Sequence, residues 1–526
     1  MTLVACSVTV DRPDLVTPAL ERAAAARADG ADLVEWRIDL LAMMPGADGA
    51  IARLVRDSPL PCILTVRSEA EGGAFDGSPI EAVRVLAAAV RCGHPPRFID
   101  AEARMLQDAH AGPELHAALA TLDDGARPSL IVSMHDHAGR PASLWSSLER
   151  MWADRACSVA KVAWTARTLR DNLEAFDVLA SRQGPTIALC MGEQGVLSRV
   201  MGAKFGAFLT FARLDDEQGT APGQPTVREL VDRYRVKGIT RHTRVYGIVG
   251  WPVSHSRGPI VHNAWFGQLG LDARYLPLPV GPSWESFKAS MSELVDHPAL
   301  DLAGASVTLP HKEHLVRFVR ERGGHVDAIA ARIGAANTLL VEPGGAVSCT
   351  NTDAPAAVDA LCEGMGIERA ALREKRVAVL GAGGVARAVA AGLADEGARV
   401  VVFNRNEDRA RAMCEDLMRG THDDGNGCGP FEGRIVAGRA SEIGCGCFHA
   451  FVNCTPVGMA GGPEPDGIPL PDEVPLDGSV TVMDTVYAPR ETPLLRVARS
   501  RGARTVDGWS MFTKQAERQS RLWRVD

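Results

Sequence analysis

The first half of the chain alternates short apolar segments with longer helical ones. Eight runs rich in Val, Ile, Leu and Phe recur at nearly regular spacing, and an Ala/Leu/Arg pattern of helical period follows each of them. These runs predict strands at 3–10, 32–38, 61–66, 97–101, 129–134, 158–163, 185–189 and 206–211, with a closing helix near 227–234. Eight strand-plus-helix units in about 235 residues is the size of a TIM (β/α)8 barrel, an α/β fold whose functional groups gather at the carboxyl ends of the strands.

The second half starts a new α/β pattern after polar and helix-breaking residues at 215–225. One strand is predicted at 245–249, and two more, at 376–380 and 399–403, flank an Ala-rich helix. The first of these two strands runs into Gly381-Ala382-Gly383-Gly384-Val385-Ala386. Gly381 permits a tight turn, Gly383 lets the backbone approach a pyrophosphate at the helix N-terminus, and Ala386 lets helix and strand pack closely. The pattern predicts a Rossmann dinucleotide-binding domain; the alternative is a tight turn that binds no nucleotide.

The end of the strand at 399–403 bears on the choice of cofactor. Asn404-Arg405-Asn406 follows it, where an Asp or Glu would bind the free ribose 2′-hydroxyl of NAD. The guanidinium of Arg405 can stack on adenine and pair with a 2′-phosphate. NADP is therefore predicted in preference to NAD.

Composition and charge exclude several classes of protein. The chain has 526 residues, 46% of them hydrophobic, which is enough for two or three cored domains. Its formal net charge is -8, with no basic stripe to neutralise nucleic-acid phosphates. The twelve cysteines lack the spacing of zinc ligands, so no metal site is predicted. Scattered cysteines, no leader and no membrane-length apolar stretch predict a cytoplasmic protein. A Gly- and Asp-rich segment at 420–433 is predicted to be a surface insertion.

Two lysines lie among side chains that could turn them into reagents. Lys161 ends an apolar run on the sixth predicted strand, and His135 ends the neighbouring fifth strand. Burial of an unpaired lysine favours the neutral amine, which attacks carbonyl carbons, and an imidazole nearby could shuttle protons. Lys312 ends another apolar run and precedes Asp353, whose carboxylate could stabilise its ammonium. The alternatives are a lysine that extends to the barrel rim and a plain surface ion pair.

The first half resembles type I 3-dehydroquinate dehydratase along its whole length. The resemblance rests on Val34-Glu35-Trp36-Arg37-Ile38-Asp39, residues 65–73, Ser133-Met134-His135-Asp136, Lys161-Val162-Ala163, Met191-Gly192, Ser198-Arg199 and Ala221-Pro222-Gly223-Gln224. It implies that Lys161 forms a Schiff base with the substrate ketone, that His135 is the general acid/base, and that Glu71 orients His135. The substrate ligands that it implies are Glu35, Arg37, Arg67, Arg199, Thr220 and Gln224. Thr220 stands where the family usually has serine, and its hydroxyl can make the same hydrogen bond.

From about residue 244 onward the chain resembles shikimate dehydrogenase. The motifs are residues 250–263, 306–312, 334–338, Asn351-Thr352-Asp353, Asn453-Cys454-Thr455-Pro456, residues 484–489 and 507–515. The resemblance implies that Lys312 and Asp353 form the catalytic pair beside the reacting hydroxyl. The substrate-binding residues that it implies are Ser256, Gly258, Thr308, Asn337, Tyr487 and Gln515. The cofactor-binding residues predicted from the turn and the resemblance are Gly381, Gly383, Gly384, Ala386, Asn404, Arg405, Asn406, Thr455, Gly508 and Met511.

Two positions depart from the pattern of this second family. Its Ser-x-Ser pair appears as Ser256-Arg257-Gly258, so one carboxylate-binding hydroxyl is missing and a small space is predicted in its place. Relatives that oxidise quinate tend to carry glycine here, which keeps quinate dehydrogenase activity as an alternative, although Thr308 is the residue of shikimate users. Asn406 replaces the threonine that the family often places beside the NADP phosphate.

Together the two resemblances imply a bifunctional enzyme of plant type that dehydrates 3-dehydroquinate and then reduces 3-dehydroshikimate to shikimate with NADPH. Its expected partners are small molecules, with neither nucleic acid nor membrane among them. The predicted domains are the barrel at 1–238, a substrate-binding domain at 244–355 completed by a C-terminal helix at 493–526, and the Rossmann domain at 356–492. The alternatives are a metabolite sensor or repressor on the same domains, and a dehydrogenase whose barrel is a scaffold. The presence of Lys161, His135, Lys312 and Asp353 favours the enzyme.

Overall fold

The structure is a computed structural model that describes residues 2–215, 223–419, 434–444 and 447–523. The insertion predicted at 420–433 lies outside these residues. The chain divides into two compact units. The first holds the eight predicted strands together with Val253–Gly281 and Ser290–Asp301, and the second holds Ile248–Pro252, Pro282–Ala289 and the chain from Leu302 onward.

The eight strands of the first half form one parallel sheet. They are β1 (Leu3–Thr9), β2 (Leu33–Arg37), β3 (Cys62–Thr65), β4 (Phe98–Glu102), β5 (Ser129–Asp136), β6 (Cys157–Thr165), β7 (Thr186–Met191) and β8 (Leu209–Ala212). Their order is β7-β6-β5-β4-β3-β2-β1-β8, with parallel neighbours throughout. Where the two ends of the sheet meet, the Phe208 amide donates to the carbonyl oxygen of Thr186 at 2.9 Å. The predicted TIM barrel is therefore confirmed.

Helices follow the barrel strands as the apolar spacing predicts. They are α1 (Val16–Ala28), α2 (Asp48–Arg56), α3 (Pro79–Arg91), α4 (Ala103–Gln107), α5 (Ala111–Ala120), α6 (Leu144–Ala153), α7 (Asp171–Ala180) and α8 (Val196–Met201). The closing helix predicted near 227–234 is a π-helical segment at Glu229–Arg233. Because side chains alternate across a strand, every second apolar residue fills the barrel interior, as Ala5, Ile63, Ile131 and Ile187 do.

The second half contains two six-stranded sheets. The strands of the first are β9 (Arg244–Gly250), β10 (Ala273–Pro279), β11 (Leu302–Val307), β12 (His325–Val326), β13 (Thr338–Val341) and β14 (Val347–Thr350). Those of the second are β15 (Arg376–Leu380), β16 (Arg399–Phe403), β17 (Ile435–Ala437), β18 (Ala450–Asn453), β19 (Thr481–Asp484) and β20 (Arg504–Val506). The first, in the order β10-β9-β11-β13-β14-β12, is mixed because β13 runs antiparallel to β11 and β14. The second is parallel, in the order β17-β16-β15-β18-β19-β20.

Helices alternate with the strands of the second half. They are α9 (Gly258–Gln268), α10 (Trp284–Asp296), α11 (Lys312–Glu321), α12 (Ala328–Ile333), α13 (Asp353–Met365), α14 (Gly384–Asp395), α15 (Glu407–Arg419), α16 (Pro493–Ser500) and α17 (Gly508–Trp523). Val377 and Val379 of β15 belong to one buried core, while Ala378 and Leu380 belong to the core on the opposite face. A parallel sheet buried on both sides is the Rossmann architecture that the sequence predicts.

Two features are absent from the part of the chain that the structure describes. None of the helices there is long and apolar enough to cross a membrane. No group of three or more His, Cys, Asp or Glu side chains in the same part of the chain could hold a metal ion.

Candidate active sites

The carboxyl ends of the barrel strands surround a polar pocket. Every described residue predicted for the first site lines it: Glu35, Arg37, Arg67, Glu71, His135, Lys161, Arg199 and Gln224. Ser7, His137, Met191 and Phe211 line it as well. Thr220 lies outside the described residues, so its role stays a prediction.

Lys161 lies on β6 with its side chain only 5% exposed. Its Nζ donates to Oδ2 of Asp100 at 2.8 Å and lies 3.8 Å from Oε1 of Glu35. The ring of Phe211 is 4.2 Å away, at a distance typical of a cation–π contact. The sequence suggested a buried lysine without a partner, and this interpretation is wrong. Lys161 has a carboxylate partner, Asp100, which stabilises an ammonium.

Asp100 was not singled out from the sequence, although it accepts the hydrogen bond from Lys161. It is fully buried on β4, and its Oδ1 accepts from Ser133 Oγ at 2.6 Å and from Arg67 Nη2 at 2.8 Å. Burial raises the pKa of the Asp100 carboxyl, but the cations of Arg67 and Lys161 hold that pKa well below its ordinary value. A sequence signal existed, since Asp100 and Glu102 stand two apart in an otherwise apolar strand and so share one face.

Arg67 connects several buried carboxylates. Its Nη1 donates to Ser133 Oγ at 2.9 Å and lies 3.3 Å from Oε2 of Glu71 and 3.4 Å from Oε1 of Glu102. Glu102 also accepts from the hydroxyl and the backbone N–H of Ser68. Arg67 was predicted to bind substrate; it lines the pocket, but its hydrogen bonds go to groups of the protein.

His135 ends β5, beside the strand of Lys161 as predicted. Its Nδ1 and its backbone nitrogen each lie 3.0 Å from Oε2 of Glu71. Burial and the cations of Arg67 and Lys161 lower the pKa of His135 well below its ordinary value, so the imidazole is neutral. Burial raises the pKa of Glu71 to about 7. When Nδ1–H donates to Glu71, the lone pair of Nε2 is left to accept a proton.

Glu35 and Arg37 point into the pocket from β2. Glu35 accepts from Ser7 Oγ at 2.6 Å and from Thr65 Oγ1 at 3.1 Å. Arg37 pairs with Asp39 at 2.7 Å and is 14% exposed at its side chain. Both side chains are held by protein partners while they face the pocket, which suits contacts to a polyhydroxylated anion.

Arg199 is a buried cation that has no ion-pair partner among the described residues. It is 3% exposed on α8, and its Nε has no hydrogen-bond partner in that part of the chain. Burial lowers the pKa of Arg199 to about 10. Because an isolated buried guanidinium is costly, a bound carboxylate would satisfy it.

The second half contains its own buried lysine–carboxylate pair. Lys312 is the first residue of α11 and Asp353 the first residue of α13. Nζ of Lys312 donates to Oδ2 of Asp353 at 2.6 Å, and both side chains are 9% exposed. The structure thus forms the pair that the sequence predicts.

Asn337 fixes the loops next to this pair. Its Oδ1 accepts from the backbone N–H of Thr352 at 2.8 Å, and its Nδ2 lies 3.5 Å from Oε1 of Gln515. Gln519, one helical turn beyond Gln515, was missed by the sequence reasoning. It is fully buried, accepts from Ser306 Oγ at 2.8 Å and donates to the carbonyl oxygen of Asn337 at 3.1 Å. It therefore ties α17 to β11 and β13.

Other predicted residues of the second half lie at the ends of elements. Thr308 follows β11, Tyr487 follows β19, and Met511 is buried on α17. Gly508 begins α17, and a Cβ there would lie 2.4 Å from the carbonyl oxygen of Val486, so no side chain fits. Their contacts with ligands stay predictions.

The prediction of a small space at Gly258 is wrong. A Cβ at Gly258 would lie 2.9 Å from Cε1 and 3.1 Å from Oη of Tyr275, and 3.3 Å from Oγ of Ser256. Tyr275 is fully buried and stacks on His262, with ring centroids 4.3 Å apart. The phenol ring therefore occupies the volume that a larger residue would take. The backbone N–H of Gly258 donates to Ser256 Oγ at 3.1 Å.

The turn between β15 and α14 has the backbone that a dinucleotide requires. Gly381 has a φ of +110°, which L side chains rarely adopt, and a Cβ there would lie 3.2 Å from Cγ2 of Thr455. Gly383 is the N-cap of α14, and no atom lies within 4 Å of a Cβ placed on it. Gly384 starts the helix and Ala386 is fully buried. The open helix N-terminus fits a pyrophosphate.

The turn after β16, Asn404-Arg405-Asn406, contains one cation, Arg405, and no acidic residue. Arg405 is 87% exposed at its side chain and pairs with Glu464 at 2.9 Å. Asn404 Nδ2 donates to the carbonyl oxygen of Asn406 at 2.9 Å, which shapes the turn. These residues fit a phosphate on the adenine ribose, provided that Glu464 releases Arg405.

Comparison with known proteins matches both halves. Residues 5–241 match the family model of type I 3-dehydroquinase. Residues 248–339 match the shikimate dehydrogenase substrate binding domain, and residues 366–423 match shikimate / quinate 5-dehydrogenase.

Similar proteins have one or both of these parts. The chain is 34% identical over 514 residues to the chloroplastic bifunctional 3-dehydroquinate dehydratase/shikimate dehydrogenase of Arabidopsis thaliana, covering 94% of this chain and 78% of that protein. It is 39% identical over 282 residues to the shikimate dehydrogenase (NADP(+)) of Paramagnetospirillum magneticum, covering 53% of this chain and 92% of that protein. The solved dehydroquinate dehydratase and shikimate dehydrogenase from S. pombe AroM is 23% identical, with a TM-score of 0.41, covering 99% of this chain and 95% of that one.

The match to the Arabidopsis protein runs through both halves of the present sequence. The chain belongs to the family of bifunctional 3-dehydroquinate dehydratases/shikimate dehydrogenases.

Proposed function

We propose that the barrel dehydrates 3-dehydroquinate to 3-dehydroshikimate through a Schiff base at Lys161, and that the second half reduces 3-dehydroshikimate to shikimate with NADPH. Membership of the bifunctional family supports both activities. One observation carries the proposal: each half holds a buried lysine bonded to a buried carboxylate, Asp100 for Lys161 and Asp353 for Lys312. An ammonium in such a pair can deliver or lose a proton without leaving its site.

In the barrel we assign the chemistry to Lys161, His135 and Glu71. Lys161 gives up one proton, and its neutral amine attacks the ketone; the carbonyl oxygen takes up the protons lost by nitrogen and leaves as water, and the resulting iminium draws electrons from C2. His135 takes the C2 proton on Nε2 and then protonates the departing C1 hydroxyl, while Glu71 holds Nδ1–H. After dehydration, water hydrolyses the iminium and frees Lys161. Arg199 is the proposed ligand of the substrate carboxylate, because it is a buried cation in need of an anion. The proposed ligands of the hydroxyls are Glu35, Arg37, Arg67, Thr220 and Gln224.

In the second half we assign proton transfer to Lys312 and its orientation to Asp353. Bound NADPH would supply the hydride. Lys312 gives a proton to the substrate oxygen as that oxygen becomes a hydroxyl, and Asp353 holds the Lys312 ammonium in position. The proposed substrate contacts are Ser256, Gly258, Thr308, Asn337, Tyr487 and Gln515.

NADP is the proposed coenzyme. The turn at Gly381, Gly383 and Gly384, with Ala386 packed behind it and Thr455, Gly508 and Met511 as further contacts, would hold the dinucleotide. Arg405, flanked by Asn404 and Asn406, would pair with the 2′-phosphate, where no acid of the turn repels it. Relatives of the second half are named for NADP(+), including the P. magneticum protein.

The alternative of quinate as the main substrate is not favoured. The relatives that match the second half are named shikimate dehydrogenases. The ring of Tyr275 also fills the volume beside Gly258 that was expected to receive the extra hydroxyl of quinate. Shikimate is therefore the proposed substrate.

We further propose that the chain has three functional parts and works in the cytoplasm. The parts are the barrel at 1–238, the substrate-binding domain at 244–355 with 493–526, and the Rossmann domain at 356–492. The described cysteines are free, which suits a reducing compartment.

The test separates the two activities on one chain. Lys161→Met should abolish dehydration of 3-dehydroquinate and leave NADP-linked oxidation of shikimate intact, while Lys312→Met should do the reverse. Steady-state kinetics with shikimate and quinate, each with NADP and NAD, would define substrate and coenzyme. Full turnover by both variants in folded form would refute the assignment, and ligand binding without turnover in the wild type would favour a metabolite sensor.

A further inference from the structure

Lys161 lies in a network of buried carboxylates and cations. Four buried carboxylates lie in one network with two buried cations: Glu35, Glu71, Asp100 and Glu102 with Arg67 and Lys161. A pocket built to produce a neutral amine would exclude such carboxylates, because they stabilise the ammonium. The arrangement instead suits a nitrogen that is positive before the attack and again in the iminium, and that is neutral only while the C–N bond forms.

We infer that Asp100 is the counter-ion of the Schiff base, holding positive charge on Nζ of Lys161 both in the free enzyme and in the iminium. The inference rests on the proposed Schiff base at Lys161. It makes Asp100 a catalytic residue, since its Oδ2 touches the reacting nitrogen at 2.8 Å.

Asp100 can be the counter-ion of both the ammonium and the iminium, because the hydrogen atoms and the charge balance between these two states. The ammonium carries three hydrogens and the iminium one. As the C–N bond forms and the C–O bonds of the ketone break, the two hydrogens that leave nitrogen are the two that the carbonyl oxygen gains on becoming water. The nitrogen begins and ends with one positive charge, so Asp100 stays ionised and no net proton is exchanged with solvent.

The geometry selects Asp100 over the other carboxylates. Glu35 lies 3.8 Å from Nζ, and Ser7 and Thr65 already donate to it. Asp100 is held in place at its other oxygen by Ser133 at 2.6 Å and by Arg67 at 2.8 Å. One oxygen is thus fixed by the protein while the other faces the nitrogen.

Glu102 provides a matched control. It is buried on the same strand two residues away and accepts from the same Arg67, but its second donor is Ser68 and not Lys161. Asp100→Asn and Glu102→Gln each replace one buried carboxylate by its amide. Only the first removes the charge next to Nζ.

The experiment traps the iminium on the full chain without NADPH. Each variant is incubated with 3-dehydroquinate and sodium cyanoborohydride between about pH 6 and about pH 9, and labelling of Lys161 is followed by mass spectrometry. The labelling rate of each variant is divided by that of the wild type at the same pH, so the pH dependence of cyanoborohydride itself cancels. Shikimate oxidation by the second half of the same molecule checks that each variant is folded.

We expect the relative labelling of Asp100→Asn to fall as pH rises, by about tenfold per pH unit once the unprotected iminium loses its proton, and to recover towards acid pH. For Glu102→Gln, the labelling rate relative to the wild type should be the same at every pH. A ratio for Asp100→Asn that does not change with pH, or one that matches Glu102→Gln, would overturn the inference.

Two further outcomes keep the test decisive. If Asp100→Asn does not fold, Ser133→Ala takes its place: it removes the 2.6 Å hydrogen bond to Asp100 but keeps the charge, so it should shift the ratio in the same direction and less. A flat ratio for Ser133→Ala would then count against the inference. Failure to label the wild type at any pH would refute the Schiff base itself.

Discussion

Nζ of Lys312 lies 2.6 Å from Oδ2 of Asp353, and each residue opens a helix. The partial positive charge of a helix N-terminus stabilises a carboxylate and opposes an ammonium. The start of α13 is therefore a favourable position for the Asp353 carboxylate. That carboxylate in turn offsets the unfavourable position of Lys312 at the start of α11.

Asp353→Asn should lower kcat for shikimate oxidation by about 100-fold or more, because Lys312 loses the carboxylate that positions its Nζ. Dehydration of 3-dehydroquinate on the same molecule should not change. Asp359→Asn is the matched control, since Asp359 lies on α13 as well but pairs with Arg369 and Arg518. It should stay within about twofold of the wild type, as exposed and half-buried ion pairs contribute little. Equal losses in both variants would mean that the effect is structural.

Glu71 should set the acid limit of dehydration. Its pKa is raised from 4.5 to about 7, and only the ionised form accepts strongly from Nδ1 of His135. We expect kcat to fall as pH drops through about 7. Glu71→Gln should lower kcat and remove this pH dependence, whereas Glu69→Gln, on the same loop and exposed, should keep it.

The same shift predicts an effect on stability. Because the folded state holds the proton of Glu71 more tightly than the unfolded chain does, its stabilising contribution is present at acid pH and is lost as pH rises through about 7. Between about pH 4.5 and about pH 7, Glu71→Gln should therefore lose less stability than the wild type, as thermal unfolding would measure. An unchanged pH profile of melting would contradict the raised pKa.

Arg199→Met should separate binding from stability. The substrate carboxylate loses its cation, so KM for 3-dehydroquinate should rise by about 100-fold. The variant should melt at the same temperature as the wild type or higher, because an unpaired buried charge has been removed. Arg199→Lys should give an intermediate KM. A lower melting temperature with unchanged KM would assign Arg199 a structural role.

Gly258→Ala should destabilise the fold by about 1–3 kcal/mol, because the new Cβ would press on the ring of Tyr275. Combining it with Tyr275→Leu, which removes the ring, should cost less than the sum of the two single changes. Denaturant unfolding measures all three. Strict additivity would show that the two side chains do not compete for one volume.

In the wild type, kcat/KM should be higher for shikimate than for quinate.

Arg405 and Glu464 should change NADP affinity in opposite directions. Arg405→Ala should raise KM for NADP by about tenfold and leave KM for NAD nearly unchanged, since only NADP carries the 2′-phosphate. Glu464→Gln removes the acid that competes for Arg405, so it should lower KM for NADP. If Arg405→Ala changed KM for NADP and for NAD to the same extent, Arg405 would not be a ligand of the 2′-phosphate.

The sequence predicted those features that depend on local pattern. All eight barrel strands and the strands at 376–380 and 399–403 are confirmed, because apolar period and glycine spacing report them directly. His135 and Lys161 were placed side by side because consecutive strands of a barrel are neighbours.

Three contacts between residues distant in sequence were not predicted. Asp100 meets Lys161 across 61 residues, so the amine seemed unpaired in the sequence. Tyr275 fills the volume at Gly258, which no local pattern reveals, and Gln519 reaches back over 213 residues to Ser306. Packing and hydrogen bonding between separate elements decide these points.

The bond from Ser306 to Gln519 has a consequence for synthesis on the ribosome. Ser306 emerges 213 residues before its partner, and Asn337 emerges 182 residues before the amide that binds its carbonyl. These hydrogen bonds of β11 and of the residue before β13 can therefore form only after α17 is made, whereas all eight strands of the barrel are already translated by then. The dehydratase can mature on the nascent chain while the dehydrogenase is still incomplete.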